Sequence, residues 1–380
     1  MKKEVSGTVS NDLGNAFIWS GFKYYLRQPT DSYIVYSPVK YWKAQHLVNK
    51  KFVKGFAFNR RHFHTNIDAC IMVALWENTN CNIDRITLEG YDIIDNEIKK
   101  EPSLLDVSKI NTSLADAYYD RKSIVGDTLD GICTGLDGKE SFKTRTRVKK
   151  MYNDNLMCFL VANSTGFDNP DLNFGLTIAG RYDGNGFFVR KDNYLEKLPL
   201  FAASRYITYN RKWTERARIM KSGDGKEKFL NDIKNGKLTQ FLLKVLLFTI
   251  FEMHNHVRTF WGSDGRFYRN ELCLDTTNGE TIASQSLKEL KANEKEKAIL
   301  KQWDMILENA KKTKNYNASL TYGIYQIFDE LDTSHNDVET DSIIYDYPEL
   351  HGNLQTLKKL VKEYYNEEIV PVLFKYEFLK

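Results

Sequence analysis

The stretch "KFVKGFAFNRRHFHTNIDACIMVALWEN", residues 51–78, decides how the N-terminal part of the chain folds. Its two apolar runs, 52–58 and 69–76, are rich in aromatic and β-branched residues and have the length of strands. The segment between the two runs carries Arg60, Arg61, His62, Phe63 and His64. We therefore predict two strands joined by a charged segment. That segment fits an active-site edge, a nucleic-acid contact or a charged hairpin.

The segments around this stretch extend it into an alternating α/β pattern. Asn11 or Asp12 is suited to cap a following helix, and Pro29 and Pro38 are suited to end the elements that precede them. The predicted elements are a helix at 13–26, a strand at 32–37, a helix at 41–49 and a fourth strand at 85–94. Alternating elements followed by a close strand pair are typical of the end of an α/β sheet. The sequence thus predicts an α/β fold for residues 1–100.

Two further regions follow, with different patterns. Residues 101–285 begin polar and rich in Asp and Gly, then mix strand and helix patterns, which predicts an α+β domain. Residues 286–380 are helical in pattern and highly charged. The longest apolar run, 241–253, is interrupted by Lys244 and Glu252 and is too short to cross a bilayer, so we expect no membrane partner.

Cysteine and histidine usage argues against a disulfide framework or a metal site. The five cysteines are widely spaced and form no CxxC pair, which is typical of a reducing compartment and predicts a cytoplasmic protein. His62 and His64 can share a strand face, but no third ligand stands at a recognisable spacing. Three consecutive residues, His254 to His256, cannot converge on one metal ion. We therefore expect no bound metal.

Basic residues are concentrated in the middle of the chain, although the net charge is only +4. The first cluster is Lys143, Arg145, Arg147, Lys149 and Lys150. The second is Arg205, Arg211, Lys212, Arg216, Arg218 and Lys221, with Trp213 and two tyrosines interleaved. Cations neutralise phosphates and aromatic rings offer flat surface to bases and sugars, so both clusters predict a nucleic-acid interface. The alternative interpretation of each is an ordinary solvated surface.

The strand pattern resembles the second half of the catalytic domain of N6-adenine DNA methyltransferases, of the kind fused into large Type II restriction-modification proteins. Three segments carry this resemblance, namely "SYIVYSPVKYWK" (32–43), "KFVKGFAFNRRHF" (51–63) and "DACIMVALWEN" (68–78). The last of them resembles the strand that returns as a hairpin in that family. The later segments "GICTGLDGKESF" (131–142), "NYLEKLPLFAASRYITYNRKW" (193–213) and 345–380 resemble the family's target-recognition and closing regions.

The resemblance implies a fold and a function. The fold would be a partial methyltransferase-like, Rossmann-like sheet at 1–100, followed by a DNA target-recognition region at 101–285 and helices at 286–380. Its partner would be double-stranded DNA. A flipped adenine would stack on Phe63, or on Phe58 as the second candidate, while Arg60 and Arg61 would contact phosphates. The basic clusters would grip the backbone.

The chain also departs from the family pattern. It lacks a glycine-rich first strand for S-adenosylmethionine and lacks the Asn-Pro-Pro-Tyr/Phe tetrapeptide. We therefore expect S-adenosylmethionine to serve the complete protein, and this chain alone to hold no cofactor and to transfer no methyl group. The missing half would precede residue 1 or belong to another subunit. The alternative function is a non-enzymatic protein-interaction or nucleic-acid-binding module.

Overall fold

The structure is a computed structural model that describes residues 13–63, 70–118, 134–135, 148–149, 156–161, 175–177, 181–182, 186–210, 213, 218–262, 265, 267–337 and 341–380. The N-terminal part is an α/β unit, as predicted, and it is built on a sheet of six strands. The strands are β1 (Ser32–Pro38), β2 (Lys50–Asn59), β3 (Cys70–Asn80), β4 (Arg85–Ile94), β5 (Glu97–Lys100) and β6 (Leu105–Ser108).

The strand order is β1-β3-β2-β4-β5, and β6 pairs with the first half of β4. β3 is antiparallel to both β1 and β2, so it separates two strands that follow each other in sequence. β2 and β4 are parallel over a short register, whereas β5 and β6 are antiparallel to β4. β2 and β3 pair antiparallel, and β3 also pairs along the whole of β1, so β3 lies inside the sheet and does not pair with β4.

One face of the sheet is buried because alternate residues of its strands are apolar. Trp76 of β3 is fully buried and lies 6.4 Å from the ring centre of Trp42 and 5.3 Å from that of Phe52. The helix Leu13–Ser20, which continues as a π-helical turn at Gly21–Tyr25, adds Ile18 to the same cluster. The opposite face leaves large apolar side chains exposed, namely Ile34, Tyr36, Phe56, Ile93 and Ile98.

The helix predicted at 41–49 is wrong in length. The structure has only one turn of helix there, Lys40–Lys43. The chain then places His46 at a φ of 52°, in the left-handed region, where a right-handed helix cannot continue. Residues 44–49 instead lead directly to β2.

The rest of the chain carries short strands and a large set of helices. The strands are β7 (Thr134–Gly135), β8 (Val148–Lys149), β9 (Leu156–Val161), β10 (Gly175–Thr177), β11 (Arg181–Tyr182), β12 (Gly186–Arg190), β13 (Phe260–Trp261), β14 (Phe267–Tyr268), β15 (Ser334–Asn336) and β16 (Ile343–Tyr345). They form two small three-stranded sheets, β10-β9-β12 and β11-β8-β7, and the two-stranded pairs β13–β14 and β15–β16.

The helices of this part surround the apolar helix Thr239–Phe251, whose residues are buried on nearly every side. The other helices are Leu114–Tyr118, Tyr194–Ser204, Tyr206–Tyr209, Lys226–Lys234, Ile282–Leu287, Glu294–Ala310, Ile324–Glu330, Pro348–Tyr364 and Val370–Lys375, with a π-helical turn at Tyr365–Ile369. Buried residues from Leu114 to Leu379 form one hydrophobic cluster. Residues of both predicted later regions therefore share one core. No helix in the described ranges is long and apolar enough to cross a membrane.

Polar contacts join the α/β unit to this second cluster. Lys43 is buried, and its Nζ donates to the backbone oxygens of Arg218 and Lys380, each at 2.8 Å. Asp224 accepts hydrogen bonds from the backbone N–H groups of Asn111 and Thr112, at 3.0 and 2.6 Å, and from Lys380 Nζ at 2.8 Å. We call these contacts the junction. The junction therefore fixes the positions of segments that are far apart in the sequence, near residues 43, 111, 224 and 380.

Candidate nucleic-acid interface

The carboxyl end of β2 carries the residues that the sequence predicted as a DNA contact. β2 ends at Asn59, and one turn of 3₁₀ helix, Arg60–Phe63, follows directly. Asn59 is buried, and its Oδ1 accepts a hydrogen bond of 3.2 Å from the backbone N–H of Arg61. This bond helps to fix the direction in which the turn leaves the sheet. We call residues 58–63 the β2 rim.

Asp92 of β4 anchors the β2 rim. Its carboxylate accepts hydrogen bonds from Arg61 Nη2 at 3.3 Å and from the backbone N–H of Ile93 at 2.9 Å, and it also contacts His62 Nε2. The side chain of Asp92 is 7% exposed, whereas that of Arg61 is 47% exposed. Arg61 therefore has a buried anchor and a solvent-facing side. His62 contacts this carboxylate through Nε2, and His64 lies outside the described residues.

Phe58 belongs to a group of three aromatic rings on the open face of the sheet. Its ring centre lies 5.0 Å from that of Phe56, in an edge-to-face arrangement, and 6.2 Å from that of Tyr91. Tyr91 donates a hydrogen bond of 2.8 Å from its hydroxyl to Glu89, which also pairs with Lys100. Packing and hydrogen bonds thus hold these rings in place beside the rim. Phe63 ends the 3₁₀ turn, and its side chain lies outside the described part.

The β2 rim presents cationic and apolar groups together. Arg60 is exposed and follows Asn59 directly, and Phe58 is half-buried. Such a surface is able to neutralise phosphates and to offer a ring for stacking, which is binding chemistry rather than bond-breaking chemistry. Within the described ranges, no group of three or more His, Cys, Asp or Glu side chains is placed to hold a metal ion.

Of the first basic cluster, only Lys149 lies in the described part of the chain. It is the second residue of β8, and its Cα partners are Thr134 of β7 and Arg181 of β11. The remaining members, Lys143, Arg145, Arg147 and Lys150, lie outside the described residues. The phosphate contacts predicted for this cluster stay a prediction.

Arg205 of the second cluster has a structural role in this fold. Its side chain is fully buried, and Nε donates to Glu252 Oε1 at 3.0 Å while Nη2 donates to Thr208 Oγ1 at 3.0 Å. Burial alone would raise the pKa of Glu252, but the hydrogen bond from His254 and the charge of Arg205 outweigh it and lower that pKa. A guanidinium enclosed with its own carboxylate cannot reach a phosphate, so the predicted backbone contact does not fit Arg205.

Other members of the second cluster also point inward. Trp213 is 6% exposed and packs with the α/β unit's hydrophobic cluster, and Lys221 is 4% exposed beside a backbone bridge to Leu379. Arg218 is half-buried, and its carbonyl accepts the Lys43 hydrogen bond at the junction. Arg211, Lys212 and Arg216 lie outside the described residues. Trp213 and Lys221 are thus buried in this fold, and the contacts predicted for Arg211, Lys212 and Arg216 stay a prediction.

The sequence interpretation missed three residues that shape the rim, namely Phe56, Tyr91 and Asp92. Phe56 and Phe58 alternate on one strand, and Tyr91 and Asp92 lie within the strand-like run 85–94. The signal was present in this alternation, since residues i and i+2 of a strand share a face. What the sequence did not reveal is the parallel pairing of β2 with β4, which brings Tyr91 opposite Phe58.

Comparisons with known proteins do not assign this chain to a family. No family model, no curated protein and no solved structure matches it.

Proposed function

We propose that this chain is the C-terminal, DNA-binding part of a restriction-modification N6-adenine DNA methyltransferase. It would supply the distal strands of the catalytic sheet and the target-recognition region to a complete protein that uses S-adenosylmethionine. The observation that carries this proposal is the position of β3. The segment that resembles the family's returning hairpin strand does return, antiparallel, beside the strand that carries the β2 rim.

The outer edge of β1 supports the same proposal. β3 pairs with one side of β1, and among the described residues no strand pairs with the other side. An edge strand with unpaired backbone N–H and C=O groups is a template for adding strands. Next to this edge, Ile34 and Tyr36 are exposed. The methyl-donor half, as a preceding segment or a separate subunit, would add its strands to this edge.

The location of the β2 rim also suits a binding role. In open α/β sheets, ligands bind in the crevice outside the carboxyl ends of the strands. The rim stands at the carboxyl end of β2, where Arg60 and Arg61 would contact the phosphates of the duplex. Phe63 or Phe58 would stack on an adenine rotated out of the helix, since a base cannot be methylated on its amino group inside the duplex.

Binding of the full chain to a labelled DNA duplex, measured by fluorescence anisotropy at several salt concentrations, tests this proposal. We expect the affinity to fall linearly with salt on a double-logarithmic plot. The Arg60→Ala/Arg61→Ala variant should bind every duplex more weakly and lower the slope by about two, because each phosphate contact contributes about 0.9. We also expect no methyl transfer from S-adenosylmethionine to DNA by this chain alone.

The matched control is Lys358→Ala/Lys359→Ala, which removes the same charge from exposed positions of the helix Pro348–Tyr364. A double variant of this helix that lowers the slope as much as the rim variant would show that the effect is one of net charge. Absence of DNA binding by the wild-type chain at low salt would contradict the proposal.

A protein-interaction module is the second candidate, and one observation favours it. The face of the sheet that carries Ile34, Tyr36 and Ile98 exposes apolar side chains, which is typical of a contact surface. The acidic segment after residue 328 favours it less, because several of its acids are engaged within the chain. Asp329 pairs with Arg258 at 2.9 Å, and Asp332 contacts His351 at 2.9 Å.

A further inference from the structure

A polar crevice of about 620 Å³ lies at the end of the sheet opposite the β2 rim. It is formed where β2 begins, where β3 ends and where the chain enters β4. Its walls carry four asparagines together with a histidine, a cysteine, an aspartate and a lysine. This volume is within the range of sites for small molecules. The crevice plays no part in the DNA contacts proposed above.

Lys109 is the one lysine that lines this crevice, and it is nearly buried. The residue is 3% exposed, and its Nζ lies 5.5 Å from the ring centre of Trp42. Nζ donates to the side-chain oxygens of Asn49 and Asn82, at 3.0 and 3.4 Å. An ammonium group carries three donor hydrogens, so these two amides leave one donor over.

No carboxylate contacts the ammonium group of Lys109 directly. In the part of the chain that the structure describes, its Nζ has no ion-pair partner within 4 Å, and Asp84, which also lines the crevice, acts on its charge only from farther away. Burial of a charge without a contacting counter-charge is costly, and here burial lowers the pKa of Lys109 more than the charges of Asp84 and Cys81 raise it. Two neutral amide oxygens stabilise the ammonium only in part. An anion that enters the crevice would supply a contacting counter-charge and accept the remaining donor.

The backbone next to the crevice is strained, which is a second and independent observation. His46 lines the crevice and has a φ of 52°, a conformation that non-glycine residues seldom adopt. Its Nε2 donates to the backbone oxygen of Ile110 at 2.6 Å. Strained residues held in place by a tertiary hydrogen bond are concentrated at binding sites.

We propose that this crevice binds the carboxylate group of a small polar molecule, with Lys109 as its counter-charge. The asparagine amides would serve the polar groups of the rest of the ligand. Asp84, on the same crevice, disfavours a second negative charge, which favours a carboxylate over a doubly charged phosphate. This site is separate from the proposed DNA surface and does not depend on it.

Cys81 lines the same crevice and is half-buried, so its rate of alkylation reports whether the crevice is occupied. The probe is acetate, titrated against chloride at constant ionic strength and pH, with iodoacetamide as the alkylating agent and peptide mapping to assign Cys81. We expect acetate to slow the modification saturably, by about threefold when its concentration is about twice the Kd, because one third of the sites are then empty.

Two variants sharpen the test. Lys109→Met should remove the protection by acetate, whereas Lys359→Met, at an exposed position of a distant helix, should retain it. Asn82 is exposed and accepts a hydrogen bond from Lys109, so Asn82→Ala should weaken the protection by acetate. The wild-type comparison of acetate with chloride decides the question even where Lys109→Met does not fold.

Equal slowing by chloride, absence of slowing at any acetate concentration, or protection that persists in folded Lys109→Met would overturn the proposal. Protection by inorganic phosphate but not by acetate would overturn the assignment of a carboxylate. DNA binding is unaffected in any of these outcomes, so this test and the test of the proposed function fail independently.

Discussion

At the scale of single residues, Arg205 is a basic residue that stabilises the fold, because it is buried together with a carboxylate. Its guanidinium and the Glu252 carboxylate are enclosed together, with the Tyr209 hydroxyl 3.3 Å from the same carboxylate oxygen. We expect Arg205→Met to lower the free energy of unfolding by about 3–5 kcal/mol, because it removes the guanidinium that pairs with the buried Glu252 carboxylate. Urea denaturation measures this loss.

Arg60→Met is the matched comparison, because it removes an exposed arginine. It should change the free energy of unfolding by no more than about 0.5 kcal/mol while weakening the binding of DNA. An Arg205→Met variant that is as stable as wild type but binds DNA more weakly would instead indicate that Arg205 contacts DNA.

Lys43 makes stability depend on pH. Burial lowers its pKa to about 7 from an ordinary value of 10.5. Between these pH values the folded protein binds fewer protons than the unfolded chain, so the free energy of unfolding rises as the pH is raised from about 7. Below the folded-state pKa both states are protonated, and the cost of burying the charge is fully present. Lys43→Met should therefore give a flatter stability curve across this window.

Denaturant unfolding of the wild-type and Lys43→Met proteins at a series of pH values checks this expectation. The difference between the two curves isolates Lys43 from other groups that titrate in the same range. Curves that stay parallel from pH 7 to the alkaline end would show that Lys43 keeps its proton in the folded state.

At the scale of elements, glycines distinguish a tight strand pair from an open helix surface. A Cβ on Gly55 of β2 would lie 2.8 Å from the backbone oxygen of Val73 in β3, whereas a Cβ on Gly352 would meet nothing within 4 Å. We expect Gly55→Ala to lower the free energy of unfolding by about 1–3 kcal/mol, since β3 backbone must move.

Gly352→Ala is the matched control with the opposite sign. It lies inside the exposed face of the helix Pro348–Tyr364 and should raise the free energy of unfolding by about 0.5–1 kcal/mol, because alanine favours the helix. Thermal and urea unfolding of the two variants show whether each substitution raises or lowers the free energy of unfolding. Two losses of equal size would indicate that β3 does not approach Gly55 as closely as described.

The same scale shows what the sequence predicts well. Alternating apolar residues placed β1 to β4 correctly. Local pattern suffices there because each element buries its own face. It failed at 41–49, where the left-handed conformation of His46 ends the helix and leaves no mark in hydrophobic periodicity.

The candidate site was less predictable than the strands. The β2 rim was found because Arg60, Arg61 and Phe63 stand together at the end of a strand. The burial of Arg205 was not foreseen, because its counter-charge, Glu252, is 47 residues away in sequence. Charge density along a chain does not record which cations are paired across the fold, so the second basic cluster looked like one surface.

At the scale of the whole molecule, the junction couples the two hydrophobic clusters. Asp224 contacts Asn111 and Thr112 on one side and Lys380 on the other, and its side chain is 8% exposed. We expect Asp224→Ala to lower the free energy of unfolding by about 1.5–3 kcal/mol, because it removes the charged acceptor that two backbone N–H groups and Lys380 share.

The control for this change is Asp304→Ala, which removes an exposed carboxylate of the helix Glu294–Ala310. It should alter the free energy of unfolding by no more than about 0.5 kcal/mol. Denaturation followed by circular dichroism compares the two. An Asp224→Ala protein that unfolds like the Asp304→Ala protein would show that the junction contributes little to stability.

The position of β3 also sets an order in time for a chain made from its N-terminus. β1 and β2 are neighbours in sequence but do not pair with each other, since both pair with β3. During synthesis neither strand has its whole native partner until residue 80 has been added, because the registers of both strands reach Glu77 or beyond. Until then the emerging β1 and β2 present unpaired edges, so this is the interval in which a nascent-chain chaperone would protect the chain from aggregation.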